Sequence, residues 1–143
     1  MTRQRRQATP RTFTLPIRVY LEDTDAQGFV YNASYFRFME RARTECLREA
    51  GIDHEACRDD FGVHFVLARI EASFRAPSQL SDTLSVSANV TEIRGARMLF
   101  EQTVRRGAPD GELICSGIAE VACMDAASRR PRRFPDAIFN EWS

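Results

Sequence analysis

Ser34-Tyr35-Phe36-Arg37-Phe38-Met39-Glu40-Arg41-Ala42-Arg43-Thr44-Glu45-Cys46-Leu47-Arg48-Glu49-Ala50 decides the fold, because it carries a helical period in a chain that otherwise alternates. Tyr35, Met39, Ala42, Cys46 and Ala50 recur in steps of three and four, and Phe36 and Leu47 widen that stripe. Such spacing lines one face of a helix. Arg37, Arg41, Arg43, Glu45, Arg48 and Glu49 are expected to form a solvated face, with Glu40 pairing among these arginines. Asn32 or Ser34 is expected to cap the start, and Gly51 suits the left-handed position past the end.

On both sides the period drops to two. Upstream, Phe13, Leu15, Ile17, Val19 and Leu21 alternate with Thr14, Pro16, Arg18, Tyr20 and Glu22, which predicts a strand with one buried face. Pro16 lacks an N–H and belongs at a sheet edge or strand start. Downstream, strands are expected over 62–76, from Leu84 to Val90, from Met98 to Arg105 and from Leu113 to Met124. Arg94-Gly95-Ala96-Arg97 and Gly107-Ala108-Pro109-Asp110-Gly111 read as the hairpin turns, Gly117 as a bulge, and His54 as a loop residue. One long helix cannot alternate with five strands in βαβ fashion. The predicted class is α+β: a curved, largely antiparallel sheet around one long helix.

The length, 143 residues, suits one domain with a sizeable core. Residues 1–12, polar and Arg-rich, are expected to be a disordered leader, and 13–143 a single domain. The arginines of 129–133 read as solvated, and Phe134, Ile138, Phe139 and Trp142 as a docking terminal turn. Twenty basic and twenty acidic side chains give zero formal net charge, which argues against a nucleic-acid partner or bulk attraction to anionic membrane. No apolar run approaches the ~20 residues of a membrane span, and no apolar segment follows the basic N-terminus as in a secretory signal. A cytoplasmic location is expected. All basic residues are Arg, which excludes lysine Schiff-base chemistry. Cys46, Cys57, Cys115 and Cys123 form no C-x-x-C pair, so a structural zinc site is not expected. The lone His64, in an apolar strand start, reads as a core or interface residue.

Most of the chemistry sits in Glu22-Asp23-Thr24-Asp25-Ala26-Gln27-Gly28-Phe29-Val30-Tyr31-Asn32. Carboxylates at a strand end lead through a glycine loop to a helix start. The first N–H groups of a helix have no internal acceptor, and the dipole adds partial positive charge, so such an end can hold a developing oxyanion. Asp25 reads either as a solvated loop acid or as a catalytic carboxylate; seven residues separate it from Asn32, too far for a direct cap. Asp23 and Glu22 read as solvated or structural. Neither a G-x-S-x-G elbow nor a phosphate-binding glycine motif is present.

Val19-Tyr20-Leu21-Glu22-Asp23-Thr24-Asp25-Ala26, Gly28-Phe29-Val30-Tyr31-Asn32-Ala33-Ser34-Tyr35 and Phe38-Met39-Glu40-Arg41-Ala42-Arg43-Thr44-Glu45 resemble the hot-dog-fold acyl-CoA thioesterases of the 4-hydroxybenzoyl-CoA thioesterase superfamily. Within it the chain resembles the Tol–Pal-cluster-associated acyl-CoA thioesterases of bacteria. The likeness runs over about residues 13–142, with Ala76-Pro77, Leu80-Ser81-Asp82, Arg94-Gly95, Phe100, Pro131 and Pro135 in support. It implies hydrolysis of an acyl-CoA to free acid and CoA, in homodimers or homotetramers with sites at the subunit interface. It implies Asp25 as nucleophile or general base, the Asn32 backbone N–H as oxyanion donor, and Gly28 close to the thioester. Tyr31 and Phe36 are then expected beside the acyl channel, with no metal or cofactor required. Two further readings are an acyl-carrier-protein thioesterase and a non-catalytic acyl-CoA-binding hot-dog protein. Many relatives carry Gly-Gly where this chain has Gln27-Gly28, and His where it has Asn32. A backbone donor survives that change of side chain.

Overall fold

The computed structural model describes residues 12–136. Apart from Thr12, the expected leader falls outside the described residues, as do Ile138, Phe139 and Trp142. The elements in chain order are β1 (Phe13–Arg18), a 3-10 turn (Leu21–Asp23), α1 (Asn32–Glu49), α2 (His54–Phe61), β2 (Val63–Phe74), β3 (Thr83–Arg94), β4 (Arg97–Arg106) and β5 (Leu113–Asp125). The strands form one five-stranded sheet in the order β1-β3-β4-β5-β2, antiparallel throughout. Pro16 lies in edge strand β1, where its missing N–H costs no ladder bond on the free side. Arg94 faces Arg97 across the two-residue turn Gly95-Ala96, and Gly95 has a φ of +58°.

The α+β class and the element pairing are hot-dog-like, but the expected curved sheet wrapped around one helix is corrected on two counts. The sheet is open and does not curl around α1: β1 and β2 stand at opposite ends of the strand order and each pairs on one side alone. A second helix, α2, follows α1 in the chain and packs against the edge strand β2. Alternation reports which face of a strand is buried; it does not report how far a sheet turns or whether its edges meet. α2 escapes a periodicity reading because it is short and Cys57 is its buried residue. Its end signals are nonetheless present. The Asp53 side chain accepts from the Ala56 N–H, and Gly62 stops the helix at φ +66°. His54 is therefore a helix residue, its ring edge-on to Phe65, and burial pushes its imidazole below the ordinary range.

The core lies between α1 and one sheet face. Phe38, Met39 and Ala42 of α1 are fully buried with Val86 and Ala88 of β3, Phe100 and Val104 of β4 and Ala119 of β5. Gly117 is no bulge: it keeps register with Gln102 and Ala72. A Cβ there would sit 2.9 Å from the Glu71 carbonyl oxygen and 3.2 Å from Met39 Cε, so the glycine lets the helix approach the sheet. Arg43 also departs from its expected solvated face. It is buried, and its Nη1 donates to Gln102 Oε1 at 2.9 Å, while Gln102 Nε2 donates to the carbonyls of Met39 (2.9 Å) and Ser87 (3.2 Å). Burial lowers the Arg43 pKa, with Glu40 opposing that shift. Glu40 accepts instead from the Thr44 hydroxyl. Arg132 is tied down as well, donating to the Phe61 carbonyl at 2.9 Å. Among the described residues no helix is long and apolar enough to cross a membrane.

Candidate active site

β1 stops at Arg18, earlier than its alternation suggests, and Leu21 is 74% exposed in the 3-10 turn that follows. The chain then folds back on itself. Thr24 bridges Val30, the Asp25 N–H donates to the Phe29 carbonyl at 2.8 Å, and the Tyr31 N–H to the Asp23 carbonyl at 2.9 Å. The result is a small hairpin with Asp25 near its tip and the start of α1 at its exit. Gly28 lies at the tip with φ +83°, a conformation that a side chain disfavours, and its N–H closes the turn onto the Asp25 carbonyl at 3.0 Å. The loop is held against the body of the protein by the Val30 N–H on the Ser78 carbonyl and by a bridge from Phe29 to Gln79.

The Asp25 side chain is exposed and does not cap α1. Its Oδ1 accepts the N–H groups of Gln27 (2.9 Å) and Phe29 (3.3 Å), an Asx turn that fixes the carboxylate within its own loop. Oδ2 has no hydrogen-bond partner among the described residues. One oxygen is thus committed to orientation, and the other is open to a ligand or a water.

The helix start is arranged in an unusual way. The N-cap residue is Tyr31, which offers no side-chain cap, so neither Asn32 nor Ser34 fills that role. The Ser34 N–H goes to the Tyr31 carbonyl at 2.8 Å, whereas the N–H groups of Asn32 and Ala33 have no acceptor among the described residues. Asn32 is exposed. Two donors at the positive end of an 18-residue helix are therefore unclaimed among the described residues. Tyr31 is 57% exposed beside them.

The structure brings Asp25, Gly28, Tyr31 and Asn32 into one hairpin and sets Phe36 a turn deeper. The Phe36 ring is half-buried and edge-on to Phe74 of β2, centroids 6.3 Å apart. Phe74 also packs against Tyr35, whose hydroxyl lies 2.6 Å from Ser78 Oγ, and burial raises the Tyr35 pKa. Sequence reading missed Ser78, which has no pattern of its own, and of its two readings of Asp23, solvated or structural, the structural one holds. That carboxylate is buried, its Oδ2 accepts the Tyr20 N–H at 2.9 Å, and its Oδ1 meets Arg37 at 3.4 Å. The Asp-x-Asp alternation of Asp23 and Asp25 was the available signal. A cavity of about 540 Å3 lies on the other sheet face, among Ser87, Asn89, Glu101, Thr103 and Ser116; none of the expected site residues lines it.

A family model described as the Thioesterase-like superfamily matches residues 19–141. The chain is 37% identical to the acyl-CoA thioester hydrolase YbgC of Escherichia coli O6:H1, over 91% of this chain and 95% of that one. It is 36% identical to the acyl-CoA thioesterase YbgC of Haemophilus influenzae, over 88% and 90%. A solved structure of a probable thioesterase from Bartonella henselae superposes with a TM-score of 0.79 at 30% identity, covering 87% of this chain and all of that one.

Proposed function

From the premise that the chain belongs to the thioesterase-like superfamily, we infer that it hydrolyses an acyl-CoA to a carboxylic acid and free CoA. The carrying observation is the hairpin itself: a carboxylate pinned by one oxygen, followed by two unclaimed helix-start N–H groups. In this reading the open Asp25 oxygen takes the proton of the water that attacks the thioester carbonyl carbon, or attacks that carbon itself, in which case water then cleaves the resulting Asp25 anhydride to release the acid and restore the carboxylate. As the C–O bond forms, the carbonyl oxygen becomes an oxyanion and accepts from the Asn32 N–H. Collapse breaks the C–S bond, and the departing CoA sulfur takes up a proton. Preorganised donors of this kind are each worth about 2.7–4 kcal/mol of barrier. Because the donor is backbone, the asparagine side chain at position 32 leaves that function intact. Gly28 permits the left-handed turn that carries the carboxylate, and Tyr31 and Phe36 offer apolar surface to the acyl group.

Assembly as a homodimer or homotetramer and a cytoplasmic setting belong to the same proposal; action on acyl groups held by a carrier protein is the alternative to it, separated by comparing rates on matched CoA and carrier-protein thioesters. β2, a twelve-residue strand with one unpaired edge and exposed Val66 and Leu67, supports self-association. The test is Asp25→Asn assayed over short, long and aromatic acyl-CoAs. Asparagine still accepts the Gln27 and Phe29 N–H groups, so the loop persists while the carboxylate is lost. Hydrolysis close to wild type across that panel sinks the assignment.

A further inference from the structure

The start of α1 is held in place without the usual cap. A conventional N-cap side chain accepts from the N–H of the second or third helical residue. Here that would claim the Ala33 N–H, next to the Asn32 donor of the proposed reaction. The fastening comes from outside instead. The Asp23 carbonyl accepts both the Tyr31 N–H (2.9 Å) and the Ser34 hydroxyl (3.0 Å). Arg37 Nη2 donates to Ser34 Oγ at 2.9 Å and reaches Asp23 Oδ1 at 3.4 Å. The other Asp23 carboxylate oxygen holds the Tyr20 N–H at the strand end. Asp23 and Ser34 are buried, at 4% and 1% exposure, so these bonds form where water competes weakly. Every bond of the set ends on Asp23 or Ser34, and none ends on the Asn32 or Ala33 N–H.

We propose that Asp23, Ser34 and Arg37 are positioning residues: they lock the first turn of α1 to the Asp25 loop and leave the Asn32 and Ala33 N–H groups free for the oxyanion. This rests on the assignment of Asp25 and Asn32 above. The reacting geometry depends on the spacing between a loop carboxylate and a helix end, and the network ties those two segments together directly. Loosening it shifts the donors relative to the carboxylate. It leaves the apolar surface that binds the acyl chain in place.

The experiment compares Ser34→Ala, Arg37→Met and Arg37→Lys with Asp25→Asn, in the full chain, on one acyl-CoA. Misplacement of about 1 Å can cost 10²-fold, so Ser34→Ala and Arg37→Met are expected to lower kcat roughly 10- to 100-fold with KM changed less than about threefold. Arg37→Lys, which keeps a cationic donor, is expected to recover part of the loss. Arg43→Met removes a buried pairing further along the same helix and supplies the stability control: a lower Tm at wild-type kcat. Arg37 is half exposed and its variants keep the fold even where Ser34→Ala does not. The proposal is overturned if Ser34→Ala and Arg37→Met keep wild-type kcat, if they raise KM alone, or if lysine recovers nothing. In those cases an inactive Asp25→Asn leaves the thioesterase reading standing. An active Asp25→Asn removes both.

Discussion

The two helices of this protein begin in opposite ways. α2 has the ordinary arrangement: the Asp53 side chain accepts from Ala56 N–H at 3.4 Å, and Gly62 closes the far end. α1 is more than twice as long, yet its N-cap, Tyr31, gives no side-chain bond. The helix that could least spare a cap by its own propensity has one, and the helix held by the core does not. Isolated helices of eight residues are marginal, so α2 draws on every local device. α1 is secured by Phe38, Met39, Ala42 and Leu47 against the sheet and can leave its first donors unclaimed. Stability at α1 is decoupled from its N-terminus, which frees that end for chemistry.

The largest effect expected is kinetic. Asp25→Asn should reduce hydrolysis by roughly 10²–10⁴-fold, the usual range for loss of a proton-transferring group, with little change in Tm. A parallel fall in Tm would show that the loop, not the chemistry, had been damaged. Next comes the anchoring of α1. Met39→Ala should cost about 2–5 kcal/mol in denaturant unfolding, as other large-to-small changes at fully buried sites do. A cost below about 1 kcal/mol would mean that α1 is not held by its packing, and the contrast between the helices would fail. At α2, Asp53→Ala should cost about 0.5–2 kcal/mol and leave kcat alone.

The smallest effect is the sharpest. Tyr31→Ser, measured against Tyr31→Ala so that loss of the ring cancels, gives α1 a conventional cap. Stability should rise by up to about 1 kcal/mol, and kcat should fall because the new hydroxyl claims the Ala33 N–H beside the Asn32 donor. If stability and kcat rise together, the unclaimed donors have no catalytic purpose.

What the sequence disclosed follows from how each feature is encoded. The apolar stripe of α1 and the alternation of β3 are repeated many times over, so both elements were legible. Pro16 marked an edge because a missing N–H has one tolerable place. The openness of the sheet was not legible, since alternation is the same in flat, twisted and closed sheets. Arg43 looked solvated because its type is charged, while its burial depends on a glutamine 59 residues away. Gly117 looked like a bulge because the side chain that needs its space, Met39, lies on another element. At the candidate site, Asp25, Gly28 and Asn32 stood out because they are neighbours in sequence and chemically distinct. The bond from Ser34 to Asp23 spans 11 residues without any period, so only the folded chain displays it.

The four cysteines have a consequence for how this fold could be timed. All are buried and none is in a disulfide among the described residues, and burial pushes the thiols of Cys115 and Cys123 up to about 11. An alkylating reagent needs both access and thiolate, and the native interior denies it each of them. Cys115 and Cys123 sit on β5, the strand held on both sides by β4 and β2. Their modification therefore waits on the sheet parting, and the rate of labelling at Cys115 against Cys57 on α2 becomes a clock that separates opening of the whole domain from fraying of its smaller helix.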